Sequence, residues 1–283
     1  MTPPDADPLE LYRWAVQDPE THAAVLQVMY ETLHDGREAH VLREDFAGTC
    51  ADSVAWIVMG DERHAIAVDR DAATLAWAKR RAEPLLGDEL DHLELHAADV
   101  MDVAPPRVRP ADILSVLNFS VGYFHTRPAL VRYLRHARSG LAEGGILVLN
   151  TLGGPGAQSP LVDRRRVEPT PRMEDEVAIP PFDYLWEHRS YDAVSDVLDC
   201  RIHFELDAPK DEEPHVLRDA FCYRFRLWGL AELREALLES GFSDAQVWRH
   251  TYDPALGDDG VFLGPVDALP DLGQWTAYVV AQV

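Results

Sequence analysis

Apolar strands and amphipathic helices alternate along residues 41–150, and this alternation restricts the fold more than any other feature of the sequence. Each short apolar run, such as "HAIAVD" at His64–Asp69, is followed by a longer segment with helical periodicity. Strands joined by helical crossovers pair in parallel, and the helices cover both faces of the sheet. We therefore predict an α/β, doubly wound fold with strands at residues 41–42, 64–69, 93–100, 111–120 and 146–150.

The flanking segments complete this sheet. A helix is predicted at residues 8–16, and Asp18 is the predicted N-cap of a second helix that begins at Pro19. Gly144 and Gly145 are predicted to end the helix that precedes the strand at residues 146–150. Towards the other end of the chain, the pattern predicts a helix and then two strands, at residues 230–240, 245–248 and 275–283.

Between these segments the pattern changes to a period of two. Residues 153–181 are rich in glycine, proline and charge, and we predict a long loop there. Three stretches of alternating apolar and polar residues follow, at residues 184–191, 197–206 and 216–228. This alternation is typical of an antiparallel β-meander with one buried face.

The chain is therefore predicted to have three parts. Residues 1–40 form an N-terminal helical segment, residues 41–152 and 229–283 form the main α/β domain, and residues 153–228 form an insertion. The polar face of the meander is a candidate surface for a homodimer.

Charge and cysteine content restrict the partners. The chain has 49 acidic and 26 basic residues, a formal charge of −23, so its surface repels nucleic acids and anionic membranes. Its 3 cysteines have no metal-binding spacing, and no apolar run is long enough to cross a bilayer. These features favour a cytoplasmic protein that binds no metal, no nucleic acid and no membrane.

The loop after the first predicted strand has an unusual composition. The stretch "VLREDFAGTC" (residues 41–50) places Glu44 and Asp45 before a turn in which Gly48 is the only glycine. A dinucleotide-binding loop needs several glycines so that its backbone amides can approach a pyrophosphate. The loop therefore disfavours a nucleotide-dependent oxidoreductase, and its carboxylates favour a ligand that carries positive charge.

Two further carboxylates end the next two strands. Asp69 follows "IAV", 25 residues after Glu44, and Asp99 follows "HAA". The carboxyl ends of parallel strands share one edge of a sheet, and ligands of open α/β sheets bind at that edge. The three carboxylates are thus predicted to line one site, although each could instead cap a helix or a turn.

With these residues in place, the sequence resembles the class I S-adenosylmethionine-dependent methyltransferases of the bacterial, small-molecule type. In that resemblance Glu44 takes the acidic position of the first motif and Gly48 its central glycine, whereas Phe46 and Cys50 stand where the outer glycines usually are. The resemblance implies a seven-stranded Rossmann-like sheet whose last strand is antiparallel. It also implies that the inserted meander is a lid and that the N-terminal segment covers the cofactor site.

The resemblance further implies S-adenosylmethionine as the cofactor. Asp69 would accept hydrogen bonds from the ribose hydroxyls, Asp99 would bind the adenine amino group, and Val100 would pack on the adenine ring. The complete set of predicted cofactor contacts is Glu44, Asp45, Phe46, Ala47, Gly48, Thr49, Asp69, Arg70, Asp99, Val100, Asn118 and Tyr12.

The stretch "NFSVGYFHT" (residues 118–126), which follows the fourth strand, carries the candidate catalytic residues Asn118, Tyr123 and His125. His125 could take the proton that methylation releases, or it could be an exposed loop histidine without a role. The predicted function is N- or O-methylation of a small molecule. The alternative is a non-catalytic S-adenosylmethionine-binding protein of the same fold.

Overall fold

The chain folds into two β-sheets with helices between and around them. The structure, a computed structural model, describes residues 7–169, 179–207, 215–252, 261–269 and 273–283. The described strands are, in chain order, β1 (Val41–Asp45), β2 (His64–Asp69), β3 (Leu93–Ala97), β4 (Ala111–Val116), β5 (Leu141–Gly153), β6 (Leu161–Val167), β7 (Phe182–Asp192), β8 (Val197–Leu206), β9 (His215–Arg226), β10 (Asp244–Tyr252), β11 (Val261–Pro265) and β12 (Trp275–Gln282). The helices are α1 (Pro8–Val16), α2 (Pro19–Leu33), α3 (Ala51–Val58), α4 (Ala72–Leu86), α5 (Arg127–Ser139) and α6 (Leu230–Glu239).

The large sheet confirms the predicted doubly wound fold. Its strand order is β11-β10-β12-β5-β4-β1-β2-β3. Strands β1 to β5 pair in parallel, and β12 pairs antiparallel with both β5 and β10. The sheet has one strand more than predicted, because β11 adds an antiparallel edge strand to β10. This short strand was not predicted because it contains Gly264 and Pro265, which are uncommon inside strands. Both residue types are tolerated at the edge of a sheet.

Two predictions about glycine-rich segments were wrong. Helix α5 ends at Ser139 with Gly140 as its C-cap, whereas Gly144 and Gly145 lie inside β5, where the register between β4 and β5 shifts. The glycines therefore mark a strand irregularity and not a helix end. Residues 153–181, predicted as a loop, also contain the strand β6. Its four consecutive exposed polar residues do not form a strand pattern, because β6 lies at the edge of a sheet.

The small sheet has the order β6-β7-β8-β9, and all its neighbours are antiparallel. The predicted inward residues of β8 are buried, as the two-residue period requires. Helix α1 packs on this buried face, where Leu11 and Ala15 contact a cluster that contains Phe182, Ile202 and Phe204. We call this surface the inner face of the small sheet.

Helices α1 and α2 begin as predicted. Asp7 accepts a hydrogen bond from the Leu9 backbone, and Asp18 accepts one from Thr21. Because a short loop joins the two helices, α2 can pack on the large sheet while α1 packs on the small one. Among the described residues, none of the helices combines the length and the hydropathy that a bilayer-spanning segment requires.

Candidate functional site

A cavity of about 670 Å³ opens at the carboxyl ends of the parallel strands, and we call it the strand-end cavity. The loops after β1, β2, β3 and β4 form its floor, while α1 and β9 form its opposite wall. It brings together most of the predicted site residues, namely Tyr12, Phe46, Ala47, Gly48, Thr49, Asp69, Arg70, Asp99, Val100, Asn118, Tyr123 and His125. Glu44 and Asp45 are not among its lining residues.

The loop after β1 alternates between ordinary and left-handed backbone conformations. Phe46, Gly48 and Cys50 have φ angles of 60°, 50° and 55°. These are the three positions at which the resemblance places glycines. A left-handed conformation costs an L-residue roughly 1–2 kcal/mol. The burial of Cys50 and the packing of the Phe46 ring on Tyr123 and Phe124 offset this strain, so the loop keeps the turn without the glycines.

Asp69 accepts hydrogen bonds from two loops and also lines the cavity. Its Oδ2 accepts a hydrogen bond of 2.8 Å from the Gly48 backbone, and its Oδ1 accepts one of 2.9 Å from the Asp71 backbone. A carboxylate offers about four lone-pair positions, so two bonds leave capacity for a ligand. Asp99 is similar: its Oδ1 accepts a bond of 2.9 Å from Met101, and its side chain is exposed at the cavity. Capping and ligand binding are therefore compatible at both residues.

Glu44 lies beneath the loop. It is 5% exposed and accepts hydrogen bonds from the backbone and hydroxyl of Ser53, at 3.1 and 2.5 Å. Burial and the neighbouring Asp52 raise the pKa of Glu44 well above its usual value. Asp52 in turn lies 3.0 Å from Nδ1 of His22 on α2. Glu44 thus fixes the start of α3 to β1 and does not line the cavity.

Asp45 points away from the cavity as well. It is 1% exposed, forms an ion pair of 2.8 Å with Arg43, and accepts a hydrogen bond of 2.7 Å from the Tyr133 hydroxyl. Burial raises the pKa of Asp45, although Arg43 opposes the shift. The sequence pattern missed this arrangement because Arg43 is a buried arginine two residues earlier in the same strand, so both side chains lie on the same side of β1.

The loop after β4 is held by a residue that sequence reasoning missed. Asn118 and Phe119 both have left-handed backbones, with φ angles of 53° and 62°. The Asn150 side chain, three residues before the end of β5, accepts a hydrogen bond of 2.9 Å from the Phe119 backbone. This bond presents Asn118 and Ser120 to the cavity. A polar residue that follows the apolar run "ILVL" was the available signal.

His125 has a defined tautomer in this arrangement. Its Nε2 lies 2.7 Å from the carbonyl oxygen of Arg224 on β9. A carbonyl oxygen only accepts, so Nε2 carries the proton and Nδ1 of the neutral ring is left as an acceptor. The carbonyl of His125 also accepts a bond of 3.2 Å from Arg226. The edge strand β9 therefore orients His125 at the rim of the cavity.

Tyr123 lies next to His125 and contacts aromatic rings from both sheets. Its ring lies 5.7 Å from Phe46 and 5.1 Å from Phe225. Burial and the charge of Asp69 raise the pKa of Tyr123 to about 12, against the opposing effect of Arg70. A tyrosine hydroxyl is protonated at neutral pH even at its usual pKa of about 10, so Tyr123 can donate a hydrogen bond to a ligand.

Helix α1 and Gln17, which follows it, cover the cavity on the side opposite its floor. The Thr49 hydroxyl donates a hydrogen bond of 2.6 Å to Gln17, which follows α1 directly. Tyr12 packs its ring 4.9 Å from the ring of Phe221, and Tyr223 lines the same cavity. Sequence reasoning had assigned no cavity role to the β9 residues Phe221, Cys222 and Tyr223, because their alternating pattern is equally typical of the interior of a small sheet.

One group of side chains in the described part of the chain has the composition of a metal site. Glu187, His203 and Asp219 place one ligand atom each within 4.8 Å of one another on the outer face of the small sheet. Arg189 forms ion pairs of 2.9 and 2.7 Å with both carboxylates. The carboxylates thus already have a cationic partner, and the group forms an ion-pair network.

Solved structures share this fold over almost the whole chain, whereas no protein-family model and no curated protein matches the sequence. An amino pentose methyltransferase of calicheamicin biosynthesis from Micromonospora echinaspora has a TM-score of 0.64 at 15% identity, with 96% of this chain and 94% of that chain covered. An S-adenosylmethionine-dependent methyltransferase from Clostridium acetobutylicum has a TM-score of 0.64 at 13% identity, covering 97% and 96%. The sugar N-methyltransferase KedS8 from Streptoalloteichus has a TM-score of 0.61 at 17% identity, covering 96% and 91%. The chain therefore has the class I methyltransferase fold.

Proposed function

We propose that this chain transfers a methyl group from S-adenosylmethionine to a nitrogen or oxygen atom of a small molecule. The observation that carries the proposal is the position of Asp69 and Asp99 in one cavity at the carboxyl ends of neighbouring strands. Both carboxylates keep acceptor capacity after their backbone contacts, which suits the hydroxyl and amino groups of an adenosine. The similar structures include an amino pentose and a sugar methyltransferase, and these support a small polar acceptor.

In this proposal the cofactor lies across the strand ends. Asp69 binds the ribose, and Asp99 binds the adenine amino group while Val100 supports the ring. The left-handed turn around Gly48 leaves room beside the backbone for the methionine part, since no atom lies within 4 Å of the space that a side chain at Gly48 would fill. Arg70, which also lines the cavity, supplies the only basic side chain among the predicted contacts.

The chemistry needs positioning more than it needs reactive side chains. S-adenosylmethionine would supply a methyl carbon that the acceptor atom attacks in line with the carbon–sulfur bond; that bond would break, and S-adenosylhomocysteine would leave with its electron pair. Holding the two reactants in line supplies much of the rate. A nitrogen or oxygen acceptor loses a proton in the process, and Nδ1 of His125 is the group proposed to accept it. Tyr123 and Asn118 are proposed to orient the acceptor.

Calorimetric titration with S-adenosylmethionine and S-adenosylhomocysteine tests the proposal. We expect both to bind, and Asp69→Ala to weaken binding by about 1–3 kcal/mol because charge-assisted hydrogen bonds to the ribose are lost. Asp88→Ala, which removes an exposed carboxylate elsewhere, is the matched control and should bind as the unchanged protein does. Failure of the unchanged, folded protein to bind either compound would refute the proposal.

The non-catalytic alternative depends on the bulky residues in the loop after β1. Phe46 and Cys50 nevertheless adopt the left-handed conformations that glycines would adopt, which supports a loop that remains able to receive the cofactor. Consumption of S-adenosylmethionine with a panel of small amines and alcohols separates the two functions. Cofactor binding without turnover on the whole panel would favour the non-catalytic protein.

Two further proposals concern the setting of the chain. All three cysteines are free, which supports the reducing, cytoplasmic location that we propose.

A homodimer would use the outer face of the small sheet, where Arg164 forms ion pairs of 2.6 Å with Asp183 and with Glu205. Sedimentation analysis at several protein concentrations would reveal whether a second copy binds there.

A further inference from the structure

A second cavity of about 460 Å³ adjoins the strand-end cavity. Tyr12, Asn118 and Tyr223 line both cavities and therefore stand at their boundary. The second cavity lies on the inner face of the small sheet and extends to the start of β12, where Gln274 and Thr276 line it. Its volume is within the range of roughly 300–1,000 Å³ that is usual for small-molecule sites.

Aromatic rings form most of its wall. Tyr184 and Trp186 on β7 and Tyr223 and Phe225 on β9 all line it. The ring of Tyr223 is stacked 5.0 Å from that of Phe225. Such rings offer apolar contact and, through their negative faces, attraction for a cation.

The inner face of the small sheet carries few charged side chains. The strand register puts Asp163 opposite Trp186, and Arg165 opposite Tyr184, on the inner face. Among the Asp, Glu and Arg residues for which the register gives a partner in strands β6 to β9, these two alone belong to that face, which also holds His188 and His215. The other charged residues with a register partner lie on the outer face, mostly in ion pairs.

Arg165 is committed to the fold, whereas Asp163 is not. The Arg165 guanidinium donates to the carbonyl of Ala15 at the end of α1 and lies 5.4 Å from the centre of the Tyr184 ring. Asp163 is exposed and has neither a hydrogen bond nor an ion pair among the residues that the structure describes. The cavity thus presents one available carboxylate within an aromatic wall.

We propose that this second cavity is the acceptor subsite and that Asp163 selects acceptors that carry a protonated amino group. This inference rests on the proposed function, because it assigns the acceptor of the same reaction. The aromatic rings would pack on the body of a compact amine while the Asp163 carboxylate binds its ammonium group. An anionic compound would be repelled. The boundary residues Tyr12, Asn118 and Tyr223 would face the acceptor atom that meets the methyl group.

Three probes of equal ring size separate charge from shape: cyclohexylamine, cyclohexanol and cyclohexanecarboxylate. Binding is measured near neutral pH by ligand-observed NMR, with and without saturating S-adenosylhomocysteine, to the unchanged protein and to Asp163→Asn. Glu168→Gln, which removes an exposed carboxylate just beyond the end of β6, is the matched control. Trp186→Leu tests the aromatic wall.

We expect the amine to bind about ten-fold more tightly than the alcohol, because a charged hydrogen bond adds to the same apolar contact. Asp163→Asn should reduce this preference to about two-fold or less, Glu168→Gln should keep it, and Trp186→Leu should weaken the amine and the alcohol alike. The affinity for S-adenosylhomocysteine should be equal in the unchanged protein and Asp163→Asn.

Equal binding of all three probes to the unchanged protein would overturn the inference, and so would an amine preference that survives in Asp163→Asn. The proposed function fails separately. If S-adenosylhomocysteine does not bind but the Asp163-dependent amine preference is present, the cavity is a cation site of a protein with another function. If the cofactor binds and no amine preference exists, only the acceptor assignment falls.

Discussion

The large sheet meets the strand-end cavity with the ends of its strands, whereas the small sheet meets the second cavity with one of its faces. At strand ends the backbone leaves the ladder, so the loops can offer amides, left-handed turns and carboxylates such as Asp69 and Asp99. On a sheet face the backbone is already paired, and only side chains remain available. The small sheet accordingly contributes rings, with Asp163 as its available charge.

This difference bears on what each region can recognise. A cofactor with ribose and adenine groups needs several hydrogen-bond partners in fixed positions, which loops anchored at strand ends provide. A methyl acceptor needs a cavity of matching shape and one or two selective contacts. The side chains on a sheet face can provide both, and they can be substituted without breaking the backbone hydrogen bonds between the strands. Helix α1 contributes to both cavities through Tyr12.

The largest effect that we expect is a loss of stability in the large sheet without a loss of cofactor binding. Asp45→Ala leaves Arg43 as a buried charge without its carboxylate, so we expect the free energy of unfolding to fall by about 3–5 kcal/mol. The cofactor affinity of the folded fraction should not change, because Asp45 does not line the cavity. Urea unfolding followed by circular dichroism, with Asp88→Ala as the control, measures the first effect. A folded Asp45→Ala protein that had lost cofactor affinity would contradict this assignment.

The second-largest effect concerns His125, where the loop after β4 of the large sheet contacts β9 of the small sheet. His125→Ala should lower kcat by about 100-fold with little change in cofactor affinity, because general bases contribute on this scale. Added imidazole should restore part of the rate, since the side chain is exposed at the cavity rim. His96→Ala, a histidine variant on β3, is the control. Full activity in His125→Ala would remove His125 from the mechanism.

A smaller effect depends on pH and concerns the contact between α2 and α3, which His22 and Asp52 form. Burial lowers the pKa of His22, but the hydrogen bond and charge of Asp52, with a further contribution from Asp18, outweigh burial and raise it. A raised histidine pKa stabilises the folded state fully below the unfolded value of about 6.5, and this stabilisation is lost as the pH rises through the folded value.

The corresponding variant is His22→Gln. We expect it to lower the free energy of unfolding by about 1–2 kcal/mol at pH 6 and by less at pH 9. Urea unfolding at the two pH values measures the difference, and His250→Gln, at an exposed histidine on β10, controls for the general loss of a histidine. A deficit that grew with pH would show that the His22–Asp52 pair is not charged in the folded protein.

The smallest effect is the difference in stability loss between variants of two buried cysteines, one in each region. Cys50 has a left-handed backbone in the loop after β1, and Cys200 lies in the extended strand β8. In Cys50→Gly the relief of strain offsets the lost packing, so stability should change by no more than about 1 kcal/mol. Cys200→Gly has no strain to relieve and should lower stability by about 2 kcal/mol. Equal losses would show that the left-handed turn carries no strain.

The sequence predicted the centre of the large sheet well because β1, β2, β4 and β5 are largely buried and therefore form clear apolar runs. It failed where local patterns had two meanings. Gly144 and Gly145 could end a helix or interrupt a strand, and the arginine-rich β6 could be a loop or an edge strand. Pairing with a distant strand decided both cases, and a local pattern contains no information about such pairing.

For the candidate site, the sequence identified which strand ends carry carboxylates, since the order of strands and loops is written along the chain. It could not distinguish Asp69, which lines the strand-end cavity, from Asp45, which pairs with a buried arginine. Nor could it bring Asp163 and Tyr12 into one cavity, because they belong to separate parts of the chain. The sequence alone thus determined the doubly wound fold and its ligand-binding edge through apolar periodicity and chain order. Only the tertiary structure decided which side chains face that edge and what covers it, because these depend on packing between segments that are remote in sequence.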